Sequence, residues 1–186
     1  MIDRILRAIR LDWTVFREIA EDQNALTEAA IIVAVVTFLS GIGTFIGYLI
    51  GDAKFGTAFL GFLNTWLIDG IVLGWILWAV LTYFVGTAFF QGKTDIPEML
   101  RVLGYASAPN LLGIFGFIPC VGWLIALAGA ILALIAGVIA VREAMEFDTT
   151  KAIITVVVSA VIAWVLSWIV GTILGVGTAI TASILG

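Results

Sequence analysis

"RVLGYASAPNLLGIFGFIPCVGWLIA", residues 101–126, carries one charge, two of the chain's three prolines and glycines at 104, 113, 116 and 122. Whether this interrupted stretch crosses a bilayer decides the architecture, because the apolar runs on either side are long enough to span without question. Upstream, "TDIPEML" places Asp95 three residues before Glu98 with Pro97 between them. That is a helix start, with the acid side chain capping free N–H groups and proline sitting where its missing donor costs nothing. The spacing predicts a helix from Ile96 that meets Pro109, whose ring clashes with the carbonyl four residues back. Pro109 and Pro119 therefore read first as hinge residues, with Pro119 and Gly122 turning the chain tightly into the next span. The functional alternative is a polar cluster of Tyr105, Ser107 and Asn110 gathered around the bend.

Lysine and arginine in short loops set orientation, because carrying them through hydrocarbon is costly. Five spans with an inner N-terminus leave Arg4, Arg7, Arg10, Arg17, Lys93, Arg101, Arg142 and Lys151 inside and Lys54 alone outside. If residues 102–118 only dipped in and returned, Arg142 and Lys151 would move outside. The sequence thus predicts a short third crossing over 102–118.

The remaining spans follow from the runs themselves, at 29–51, 67–90, 121–141 and 152–175. Between Lys54 and Lys93 the only charge is Asp69, and one helix over that length would be about 57 Å long, nearly twice the hydrocarbon thickness. Residues 55–66 are accordingly expected as an interfacial or re-entrant piece, which puts Asp69 near the outer boundary. Asn64 and Asp69 would share a helical face, and an ionisable residue within a span is the usual mark of a transport path. Gly43, Gly47 and Gly51 recur every fourth residue, a groove suited to close helix packing or to a homodimer.

Residues 2–20 place Ile2, Ile5, Leu6, Ile9, Trp13, Phe16 and Ile19 on one side and basic residues on the other. This predicts one amphipathic helix in the cytoplasmic interface, with Arg4, Arg7, Arg10 and Arg17 toward anionic headgroups. The alternative is that its apolar stripe packs on the base of the bundle. Residues 1–24 form this helix and its linker, and residues 25–186 the membrane domain. The connector at 142–151 offers Arg142, Glu143, Glu146 and Asp148 to a soluble partner or a second copy.

Composition agrees with this class. Hydrophobic residues make up 62% of the 186 and charged residues 12%, about half the share usual in soluble domains. The opening segment lacks the apolar core and cleavage site of a secretory signal. With no histidine and one cysteine, Cys120, the chain cannot form an internal disulfide, a Cys/His metal site or a histidine-based general base. No catalytic residue, cofactor or metal is expected, and a sequence pI near 4.6 argues against nucleic acid.

"LRVLGYASAPNLLG" (100–113), "IPCVGWLI" (118–125) and "AVREAMEFDTTKA" (140–152) together resemble the Ypt/Rab-interacting protein (Yip) domain family in its prokaryotic form. Gly104, Tyr105 and Pro109 match the "GY…P" of that family's third span. The resemblance implies a polytopic bundle without known catalysis, and a trafficking-type, partner-binding role as in eukaryotic relatives that contact prenylated small GTPases. This sequence carries no "DLYGP" motif. The reading is an all-α, five-span membrane scaffold in the cell membrane, homo-oligomeric and lipid-bound, with its N-terminus cytoplasmic and its C-terminus outside. A small channel or carrier is the alternative.

Overall fold

A computed structural model describes the backbone of residues 1–185 and the side chains of residues 1–172. Among these residues every regular element is helical: α1 (Ile2–Ile9), α2 (Trp13–Glu21), α3 (Ala25–Ile50), α4 (Phe55–Leu63), a π-helical stretch (Asn64–Leu77), α5 (Trp78–Phe90), α6 (Ile96–Ala106), a 3-10 helix (Ala108–Phe117), α7 (Gly122–Ala144) and α8 (Thr149–Leu185). Four helical segments are long and apolar enough to cross a membrane: Ala25–Ile50, Phe55–Phe90, Gly122–Ala144 and Thr149–Thr172. The chain is a polytopic helical bundle whose wide faces are apolar and outward, as lipid allows. Leu127, Ile131, Ile135, Val161 and Ile169 all stand exposed.

Residues 96–118 form a shorter composite segment, α6 followed by the apolar 3-10 helix. Asp95 accepts from Glu98 N at 2.7 Å and starts α6 where the sequence places it. Glu98 does not close the reciprocal box; its carboxylate accepts from the Thr94 hydroxyl at 2.9 Å instead. At the proline the hydrogen bonding tightens to 3-10 form. Ser107 donates its hydroxyl to Gly104 O at 2.7 Å, satisfying a carbonyl near the break. A 3-10 helix rises about 2.0 Å per residue, so ten residues reach about 20 Å where an α-helix would reach about 15 Å. The turn beyond it is made by Pro119 and by Cys120 at φ 65°. Gly122 serves close approach: a Cβ there would lie 2.3 Å from Phe115 O.

The 3-10 helix is clamped between α3 and α7. A Cβ on Gly43 would stand 2.7 Å from Ile114 O, one on Gly47 would meet Phe117 at 3.8 Å, and one on Gly129 would be 2.8 Å from Pro109 O. Gly51 contacts only its own helix. Of the two readings of the glycine groove, close packing within the chain describes Gly43 and Gly47, whose neighbours are residues of the 3-10 helix.

Residues 55–90 form one uninterrupted helical run rather than a crossing with a separate interfacial piece. It lies against α3: Trp66 Nε1 donates to Ala34 O at 3.2 Å, Thr65 to Thr44 Oγ1 at 3.3 Å, and a Cβ on Gly70 would lie 2.4 Å from Thr37 Cγ2. Thr37 is halfway along α3, so Asp69 sits at mid-depth and not at the outer boundary. Further along, Thr82 and Ser159 share a buried hydroxyl contact of 2.9 Å that ties α5 to α8.

The N-terminal segment is two helices, not one. Leu11 takes a left-handed φ of 61° and Asp12 caps α2 by accepting from Thr14 N at 2.9 Å. The break turns part of the apolar stripe inward, and Ala8, Val15, Phe16 and Ile19 join the same buried core as Met99, Val102, Leu103, Tyr105, Val141 and Met145. The stripe is divided: Phe16 and Ile19 pack on the base of the bundle, while Ile2, Leu6 and Trp13 stay exposed, as an interfacial helix requires.

Candidate functional site

The end of the bundle where α1, α2, the 91–95 link and the 142–148 connector meet, here the basal end, concentrates the charge. Arg4 is its first hub: Nε donates to Glu18 at 2.8 Å and Nη1 to Asp22 at 2.8 Å. Arg7 donates to Asp12 at 3.0 Å, to Glu18 at 3.1 Å and to Thr14 Oγ1 at 2.9 Å. From Arg4 the network runs inward. Nη1 lies 3.6 Å from Glu28 Oε2, in the first turn of α3, and the Tyr105 hydroxyl, entirely buried, donates to that same oxygen. Three elements distant in sequence are thus stitched by charge-assisted bonds.

Arg101 is the second hub. It is 7% exposed, its Nη2 donates to Ala20 O at 2.7 Å in the last turn of α2, and its Nε has no partner. A guanidinium at a helix C-terminus satisfies a free carbonyl and opposes the negative end of the dipole. Docking of α2 therefore rests on one buried cation as well as on Phe16 and Ile19.

Between α2, the 91–95 link and the end of α7 lies an open cavity of about 560 Å³ with Arg17, Lys93 and Arg142 set against Glu21, Glu98, Glu143 and Glu146. Glu143 anchors its wall. Its side chain is 5% exposed, with Oε1 accepting from Arg142 Nη2 at 2.8 Å and Oε2 at 2.8 Å from Arg17 Nη2. The latter contact is coulombic only, since Arg17 is off the hydrogen-bonding line and Oε2 is left without a donor. Burial pushes Glu98 above the usual carboxylate range. Lys93 has no acid within ion-pair distance among the described residues.

The expected site residues are distributed as follows. Arg142, Glu143 and Glu146 line the cavity, while Asp148 caps α8 by accepting from Lys151 N at 2.9 Å. Arg4, Arg7 and Arg17 do not form a free basic face; each is paired with acids, and only Arg10 of the four stands unpaired. Tyr105, Ser107 and Asn110 do not form one side-chain cluster: Tyr105 turns to Glu28 and the Ser107 hydroxyl to Gly104 O, while Asn110 joins through its backbone, its N–H donating to Ser107 O at 2.9 Å and its carbonyl accepting from Ser40 at 3.5 Å. Asn64 and Asp69 do meet, at 2.6 Å. Arg101, Lys93 and Glu98 belong to the charged inner end that the sequence indicates, whereas Glu28 has no role in that reading. Glu28 could have been flagged as an acid at the mouth of an apolar span, but nothing in the sequence pairs it with Tyr105. Among the described residues no three acids or thiols gather closely enough to hold a metal ion.

The Arg4 guanidinium holds Glu18 and Asp22 below the usual carboxylate range, and bonds from Thr14, then Arg7, do the same for Asp12. Carboxylates depressed in the folded state add stability above their unfolded pKa of about 4 and lose it as pH falls through their lower folded values. Glu98, raised, acts in the opposite sense. We expect amide exchange in residues 2–21, corrected for intrinsic rate, to accelerate as pH drops below about 4 while residues 122–144 stay protected. Equal protection of both segments down to pH 3 would show that these pairs do not hold α1.

Comparison with curated proteins and with solved structures returned no match. Residues 14–184 match the Yip1 domain model, which takes in nearly all of α2 and the four long apolar helical segments but begins after Arg4, Arg7 and Asp12 of the basal charge network; the chain belongs to the Yip1 domain family.

Proposed function

We propose that this protein is a non-enzymatic scaffold of the cell membrane that presents its basal end to a soluble cytoplasmic partner, with the C-terminus outside. The observation that carries the reading is the cavity beside α7. It is open, lined by both signs of charge, and built on Glu143, a buried acid held by Arg142 on one oxygen and Arg17 on the other. Such a surface suits a charged peptide segment, whose ammonium or guanidinium groups would reach Glu21 and Glu146 while its carboxylates reach Lys93 and Arg142. Arg10, free of acid partners, remains available to anionic headgroups at about 1 kcal/mol.

A photo-crosslinking amino acid at Lys93 or Glu146, introduced into cells, should yield one and the same adduct from both positions, and Arg142→Glu should remove it. A lipid-facing control at Leu127 should not produce it. Orientation is checked in the same cells: Cys120, exposed in the distal turn, should react with a membrane-impermeant maleimide added outside. Absence of an adduct at both cavity positions would argue against the scaffold.

A carrier is the second reading, favoured by Asp69 at mid-depth. Against it, Asp69 is not among the residues lining the cavity described. Proteoliposome flux that disappears with Asp69→Asn would support the carrier.

A further inference from the structure

Asp69 is exposed on the outer surface of the bundle. Its neighbour Gly70 abuts Thr37, which along α3 is about 14 Å from Glu28 and about 20 Å from Ile50. The carboxyl therefore stands in hydrocarbon, where an ionisable group is tolerated only with a polar partner. No lysine or arginine lies within ion-pair distance among the described residues. Its hydrogen-bond partner is Asn64, whose Nδ2 donates at 2.6 Å. In a π-helix residues five apart share a face, so the strip continues to Gly74. That glycine is exposed, and a Cβ there would meet nothing but the backbone of Asp69 in its own helix.

The strip is self-complementary. Asn64 keeps one amide N–H free and Asp69 keeps Oδ1 free, and the 2.6 Å bond between them holds both side-chain tips at one depth. Two copies in one membrane, related by a two-fold axis along its normal, bring these tips face to face. Asn64 of each can then donate to Asp69 of the other, closing a four-member ring. A protonated carboxyl fits the same ring by donating its own O–H across it. Gly74 lets the two backbones approach. The glycine groove of α3 is already occupied, so it does not compete as the contact. We propose that the Asn64–Asp69–Gly74 face is a homodimer interface, with a second copy of this chain as the group that shields Asp69 from lipid.

Cys120 is the single cysteine and is exposed, so donor and acceptor fluorophores attach there without further substitution. Energy transfer in phosphatidylcholine vesicles, followed as the protein-to-lipid ratio is lowered, should report a dimer. Asp69→Leu and Asn64→Leu should each weaken association about tenfold, since two reciprocal polar contacts are lost and each is worth a few-fold in a bilayer. Asp69→Asn keeps donor and acceptor capacity and should dimerise within about threefold of the parent. The leucine variants should melt no lower than the parent under conditions where both are monomeric, which separates loss of contact from loss of fold. A parent chain that is monomeric at every ratio would overturn the proposal, as would Asp69→Leu dimerising like the parent.

Discussion

Gly43→Val will drive the 3-10 helix off its seat on α3 and lower the thermal midpoint in detergent by about 5–10 °C, from a loss of about 3 kcal/mol. The obstacle is backbone. A Cβ at position 43 would stand 2.7 Å from Ile114 O and 3.2 Å from Gly113 O, and neither atom has a rotamer to escape by. Relief requires moving residues 108–117 away from α3, yet Gly129 against Pro109 O and Gly122 against Phe115 O pin the same segment from the α7 side. Overpacking of this kind falls at the upper end of the usual penalty because neither flank can yield. One turn on, Gly47 supplies the control. A Cβ there would meet Phe117 at 3.8 Å, ordinary contact, so Gly47→Ala should leave the midpoint unchanged or raise it slightly through better helix propensity. Equal destabilisation by substitutions at 43 and 47 would mean that the 3-10 segment is not held as described.

Arg101→Ala should release the N-terminal pair of helices without unfolding the membrane helices. The change removes the donor that Ala20 O receives at 2.7 Å and empties a volume that is 7% exposed. An unsatisfied buried carbonyl costs about 1–3 kcal/mol and the cavity adds to it, so a total near 3 kcal/mol raises the detached population about 100-fold. Phe16, entirely buried in the parent, becomes accessible when α2 lifts, and chymotrypsin cleavage after it is the measurement. Arg101→Met refills the volume but not the donor and should cleave at an intermediate rate. Cleavage of Arg101→Ala at the parent rate would show that apolar packing alone holds α2.

Much of this was readable along the chain. Apolar runs at a charge share of 12% demand lipid as solvent, and loop cations demand one end of the bundle, because both follow from transfer free energies that a linear sequence displays. The start at Ile96 and the break at Pro109 were likewise local chemistry: a capping carboxylate and a missing N–H. The family resemblance rested on the same short motifs, Gly104, Tyr105 and Pro109 among them.

What remained hidden was which partner each polar group would choose. Arg4 and Arg17 look alike in an amphipathic pattern, yet one bonds Asp22 across a helix break and the other approaches Glu143, which lies 126 positions further along the chain. The break at Leu11 brought Phe16 and Ile19 into the core while Ile2, Leu6 and Trp13 stayed exposed, and the level of Asp69 was set by the way residues 55–90 lie along α3. Sequence alone therefore determined the solvent, the all-helical class and the end on which charge collects, since those depend on each residue's own preference between oil and water. Only the tertiary structure decided the ion pairs, the filling of the glycine groove and the exposure of Asp69, because these depend on distances between segments that periodicity does not encode.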